Sequence, residues 1–130
     1  MITTSDIADI LYQSCAPFGI DVYRKGYIPE GAVKKERIVI LPKEQTVGTY
    51  WKKAFVEINI CVPDLSEGVA DLRRLQELER QAQAIFDGRA NKYDSSAYSY
   101  SVSSIDGVNR DESLKCHYVN VRLLFEVLNC

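Results

Sequence analysis

The sequence predicts a single α+β domain over residues 1–130: a mostly antiparallel sheet of about four to five strands, one long helix packed on a face of it and a short N-terminal helix, in the order α-β-β-β-α-β-β. Three observations carry this. Residues 54–62 alternate apolar and polar side chains with the period of a strand. Residues 69–86 repeat apolar side chains every three or four positions, the period of a helix. Residues 98–128 return to strand-like alternation.

Length and composition agree with one folded unit. A chain of 130 residues can bury a core without staples. Its 46% hydrophobic and 26% charged residues give the balance of a globular chain rather than a disordered one. No apolar run approaches the roughly 20 residues of a membrane-spanning helix, and Met1-Ile2-Thr3-Thr4-Ser5-Asp6 lacks the basic-then-apolar order of a signal peptide. The expected compartment is therefore the cytoplasm.

The elements follow in order. Thr3, Thr4, Ser5 and Asp6 offer side-chain oxygens to the free amides of a helix start, and Ile7, Ile10 and Leu11 then share one face. Pro17 and Gly19 stop this helix near Cys15, and residues 20–23 alternate into a short strand. Gly26, Pro29 and Gly31 mark irregular chain. Residues 37–41, rich in β-branched side chains, read as a central strand that Pro42 ends. After a polar turn at 43–48, residues 49–62 form the second strand of a hairpin, with Ala54, Val56, Ile58, Ile60 and Val62 on one face and Phe55, Glu57, Asn59 and Cys61 on the other. Asp64 or Ser66 is expected to cap the long helix, whose apolar stripe is Val69, Leu72, Leu75, Leu78, Ala82, Ile85 and Phe86, about five turns in all. Asp87 and Gly88 close it. Residues 89–96 read as a polar loop and Asp106-Gly107 as a charged turn. The last strand, toward Leu128, sets Val119, Val121, Leu123, Phe125 and Val127 on one face and Tyr118, Asn120, Arg122, Leu124 and Glu126 on the other. That second face also carries Tyr118 and Leu124, so the first helix or a partner is expected to cover it.

Charge is unevenly spread. The net charge is −2, yet residues 24–53 hold eight basic residues against three acidic ones and are net +5, leaving −7 for the rest. A basic hairpin arm, protruding near 42–53 from an acidic body, suits head-to-tail assembly; a solvated hairpin with edge lysines is the plainer reading of the same residues. Tyr27, Tyr50 and Trp51 among those cations would also suit nucleic acid, but the chain is acidic overall and lacks helix-turn-helix, zinc-finger and RNP-like signatures, so specific nucleic-acid binding is not expected.

Chemistry is not visible. Cys15, Cys61, Cys116 and Cys130 are scattered singly and His117 is the one histidine, so neither a zinc site nor another metal or cofactor is expected. Packing roles are the expectation for Cys15, Cys61 and Cys116, while Cys130 is terminal. Asp106, Asp111 and Glu112 lack the spacing of a calcium loop, and no strand-turn context positions a serine for attack beside His117. The chain is not expected to be an enzyme.

The opening helix through Cys15-Ala16-Pro17-Phe18-Gly19, then Ile20-Asp21-Val22-Tyr23 and Gly26-Tyr27-Ile28-Pro29, resembles the start of tail-terminator and tail-completion proteins of long-tailed bacteriophages or prophages. The resemblance continues through Arg37-Ile38-Val39-Ile40-Leu41, Phe55-Val56-Glu57-Ile58-Asn59-Ile60, the helix at 72–86 and the strand at 119–125, and rests on the order and size of elements. It implies a non-enzymatic module forming a ring, commonly hexameric, at the head-tail junction. Its partners there would be further copies of itself, the tail tube and the head connector, in the bacterial host cytoplasm and then the virion. It supplies no catalytic residue and no cofactor. The assembly surface expected on this chain is the arm with Lys43, Tyr50, Trp51, Lys52 and Lys53, together with the outer face of the long helix with Arg73, Arg74 and Arg80.

Two other readings stay open. One is a bacterial protein-interaction adaptor that uses the long helix. The other is a small-ligand binding domain with Tyr93, Tyr98, Tyr100 and Tyr118 lining a pocket.

Overall fold

A computed structural model describes residues 2–47, 51–93 and 96–128. It is an α+β fold in which two helices pack on one face of a curled six-stranded sheet of order β1-β2-β3-β6-β5-β4. Helix α1 (Thr4–Ser14) begins with a capping box: the Asp6 amide donates to Thr3 Oγ1 at 3.1 Å and the Thr3 amide to Asp6 Oδ2 at 2.9 Å. A single 3-10 turn, Ala16–Phe18, follows and ends at left-handed Gly19.

Strand β1 (Asp21–Arg24) pairs in parallel with β2 (Arg37–Val47), so residues 25–36 must cross back along the sheet. Strands β2 and β3 (Trp51–Pro63) pair antiparallel, as the alternation predicts. β2 does not stop at Pro42. A register shift between Pro42 and Gln45 absorbs the missing N–H, and the strand runs on to Val47. Nor is β2 central: β3 and β6 (Cys116–Leu128) occupy the middle.

Helix α2 (Leu72–Ile85) is shorter than its apolar pattern. Asp71, not Asp64 or Ser66, caps it by accepting from the Arg74 amide at 3.3 Å. Val69 is spent on a turn closed by a Ser66–Val69 bridge and stands exposed, as does Leu72 in the first turn of the helix. The sheet then gains a strand that the sequence reading leaves as loop. β4 (Arg89–Tyr93) pairs with the start of β5 (Ser96–Asp111), a long strand that also contains the expected turn at Asp106-Gly107. Six strands thus replace the expected four to five.

The main core lies between the sheet and both helices. Ala54, Val56, Ile58, Ile60 and Val62 of β3 and Val119, Val121, Leu123, Phe125 and Val127 of β6 are all buried there with Ile7, Leu11, Leu75, Leu78 and Phe86. Phe86 stands between Phe18 and Tyr100, with ring centroids 5.9 and 6.4 Å away. The Tyr100 hydroxyl donates to Ser14 Oγ at 2.8 Å, which joins the end of α1 to β5. Since α1 shares this core, it does not cover the opposite face of the sheet. Among the described residues no helix is long and apolar enough to cross a membrane.

Candidate assembly surfaces

The predicted contact residues fall in two separate places. Lys43 and Lys53 lie on the sheet face away from the helices: Lys43 Nζ is 3.3 Å from Glu57 Oε2, and Lys53 stands opposite Glu126 in the ladder. Trp51 and Lys52 are strand residues paired with Leu128 and Val127. Tyr50 lies outside the described residues. Arg73 and Arg80 are exposed on α2, on the other side of the sheet, and Arg73 Nε is 3.8 Å from Glu77. Arg74 turns inward. Its Nε and Nη2 donate to the two Glu36 carboxylate oxygens at 2.6 and 2.9 Å, and these bonds hold its proton more tightly than usual. Arg74 therefore ties α2 to the strand entering β2, and the two groups of cations do not converge.

The face away from the helices is largely open and polar. Asn120 Nδ2 donates to Asn59 Oδ1 at 2.7 Å between the central strands, and the Arg122 guanidinium lies 4.0 Å from the Phe55 ring centroid. Leu41, Phe55 and Leu124 stay half-buried on this face. Its far end is covered, for there the crossover lays Val33 over Cys61, Cys116, Leu114 and Tyr118.

The two ends of the sheet differ. β1 has a sheet neighbour on one side only, and at the other end β4 pairs with residues 96–100 of β5, leaving residues 101–111 with β6 as their sole neighbour among the described residues. Beside the β1 edge, the Arg24 guanidinium sits 5.3 Å from the ring centroids of both Tyr12 and Tyr27 and pairs with Asp9. Tyr27 is 70% exposed. The sequence reading misses this cluster, since Tyr12, Arg24 and Tyr27 come from a helix, a strand end and a loop; the cation amid tyrosines was its available signal.

The four tyrosines proposed to line a pocket do not meet. Tyr93, Tyr98 and Tyr100 pack toward the helices, where Tyr98 and Tyr100 stack near Phe125, whereas Tyr118 faces the other side. His117 Nδ1 lies 2.6 Å from Asp64 Oδ1 with both side chains nearly buried, so the pair ties the turn after β3 to the start of β6. No three His, Cys, Asp or Glu side chains cluster as metal ligands among the described residues.

No family model matches the chain, and no curated protein matches it. Among solved structures, one that carries no functional name aligns over 100% of this chain and 99% of its own, with a TM-score of 0.65 and 12% identity. The shared feature is the fold along its whole length.

Proposed function

We propose that this chain is a non-enzymatic assembly module, a tail-terminator or tail-completion protein that forms a ring at the head-tail junction of a phage or prophage tail. The observation that supports it best is the pair of unlike free edges on one sheet. A contact between different edges of neighbouring copies is heterologous, and such contacts close into a ring when the rotation per copy divides a full turn. β1 of one copy meeting residues 101–111 of the next would continue the sheet and cover the β1 edge and the open half of β5, leaving the short β4 as the remaining edge. The open polar face would then form a continuous surface on which a tube or connector can sit.

Light scattering over a wide concentration range at two salt concentrations, followed by electron microscopy, tests this. A species several times the protomer mass, weakened by salt, is expected. A protomer-sized mass under every condition would favour the adaptor reading instead.

A further inference from the structure

Cys61 and Cys116 lie outside the main core, on the opposite side of the sheet, at the end where β3 and β6 stop pairing. In the ladder Cys61 faces Tyr118 and Cys116 faces Pro63, so the two cysteines are diagonal neighbours within one buried cluster, where the Cys61 thiol also lies 4.0 Å from the Asn59 carbonyl oxygen. On the other flank of Cys61, directly opposite it in β2, stands Arg37. Arg37 is 7% exposed, its Nε is buried without a hydrogen-bond partner, and one terminal nitrogen reaches the Pro29 carbonyl at a long 3.4 Å. A guanidinium does not give up its proton, so when buried it calls for an anion. The adjacent group that can become one is the thiol pair. The Cys116 thiol and then Arg37 favour the anionic form of Cys61 and hold its pKa below the ordinary thiol value, while Cys116 is pushed up as the partner that keeps the proton. Asp111 opposes ionisation of both.

We propose that Cys61 and Cys116 are an oxidisable pair that a peroxide converts into an intramolecular disulfide, with Cys61 as the nucleophile and Arg37 as its counter-ion. The Cys61 thiolate attacks one peroxide oxygen; an S–O bond forms, the O–O bond breaks, and the departing hydroxide takes a proton and leaves as water. Cys116 then attacks the Cys61 sulfur. The S–S bond forms, the S–O bond breaks, and the leaving hydroxide takes the Cys116 proton, so two thiols and one peroxide give one disulfide and two waters.

The location permits the closure. Diagonal neighbours across a ladder stand about 7–8 Å apart at Cα, and a disulfide spans up to about 6.8 Å, so the strands must approach by roughly 1 Å. That approach falls on the last rung, Pro63–Cys116, which lacks the N–H of Pro63. A bond closed against such a shift is easily reduced, so the modification is reversible. The crossover above is held by the Val33 amide donating to the Leu114 carbonyl at 2.8 Å, so the proposed reaction requires this contact to open for peroxide to reach Cys61. Cys15 differs: burial in the main core pushes its thiol up to about 12, which leaves it inert.

The test treats the full chain, folded, with limiting hydrogen peroxide, then alkylates in denaturant and reads intact mass and peptides. A loss of about 2 Da in a Cys61–Cys116 disulfide, reversed by dithiothreitol and absent from protein treated in urea, is expected. Cys116→Ser should instead yield a sulfenic acid on Cys61 that dimedone traps. Arg37→Gln should slow oxidation measurably, since the Cys61 thiolate then loses its counter-ion; Arg37→Lys, which keeps the charge, should react near the native rate and serves if the glutamine variant does not fold. Oxidation first at Cys15 or Cys130, or an unchanged rate in Arg37→Gln, overturns the proposal.

Discussion

Arg74 offers the sharpest separation of brace from assembly contact. Its two hydrogen bonds to Glu36, at 2.6 and 2.9 Å, are charge-assisted and bidentate, which in a buried setting would contribute about 1.5–3 kcal/mol each. The side chains are 33% and 25% exposed, however, so solvent screening pulls the pair toward the 0.2–1 kcal/mol typical of exposed pairs. A coupling of about 1 kcal/mol is the resulting expectation. Arg74→Gln and Glu36→Gln, singly and together, measured by urea unfolding, form the cycle. Each single variant should lose about 1 kcal/mol and the double variant little more, with melting lowered by about 3–5 °C. Glu77, 3.2 Å from Arg74 Nη1, retains part of the interaction after Glu36→Gln, so that variant should be the milder. Solution mass should not change in any of them. Zero coupling, or a fall in self-association at unchanged stability, would refute this assignment and make Arg74 an assembly contact.

Other expectations follow from the same geometry. Phe86→Ala, which empties the site between Phe18 and Tyr100, should cost about 3–5 kcal/mol in denaturant unfolding. Gly68 has φ +73 and its missing Cβ would sit 3.0 Å from Arg110 Nη2; Gly68→Ala should therefore lose about 1–2 kcal/mol, measured by thermal melting, as the backbone alone demands. Val108→Lys places a charge in the free half of β5, where the valine is 42% exposed, and should leave stability within about 0.5 kcal/mol while lowering the light-scattering mass. Tyr50→Ala with Trp51→Ala should weaken self-association with the circular dichroism of the fold intact; loss of that signal would show instead that these side chains belong to the core.

The central hairpin and β6 were legible because the sheet is one-sided there. Each helix-facing position must be apolar, so Ala54 to Val62 and Val119 to Val127 alternate without a break. The start of β5 was legible too, since Tyr98, Tyr100 and Val102 alternate with serines, but its continuation past Val102 was not, for a reason its bulges explain. Its helix-facing apolar residues are Tyr98, Tyr100, Val102, Ile105 and Val108, and the register shifts at 102/104 and 106/108 each insert one residue, turning a spacing of two into three. The resulting pattern fits neither a strand nor a helix. β4 escaped because an exposed edge strand has little to alternate, and Arg89 to Asn91 carry no large apolar side chain. The helix start was misplaced because Val69 continues the apolar period by spacing alone while standing in solvent ahead of the Asp71 cap. Of the candidate surface, the basic cluster could be counted in the sequence. Which cations faced outward could not, since the partners Glu36 and Glu57 are set by tertiary packing.

That packing also reshapes the charge argument. The basic segment threads the end of β1, the crossover, β2 and the start of β3, and the tip of the expected arm at 48–50 lies outside the described residues. Several of its cations are satisfied within the chain, Arg24 by Asp9 and Lys43 by Glu57, and Arg37 is withdrawn beside the thiols. Lys25, Lys34 and Lys35 remain exposed, all on the crossover that leaves the β1 edge and returns into β2. At the far end of the sheet, the half of β5 without an outer neighbour and the turn after it carry Asp106, Asp111 and Glu112 against Arg110. The crossover, however, meets that turn through the Val33 amide and the Leu114 carbonyl, and Lys34 and Glu112 line one cleft there, so these charges face each other within one protomer and set no polarity between the two free edges. The proposed head-to-tail arrangement therefore rests on the unlike edges rather than on charge, and the salt dependence of the light-scattering mass is the measurement that shows whether exposed cations such as Lys25 and Lys35 add to it.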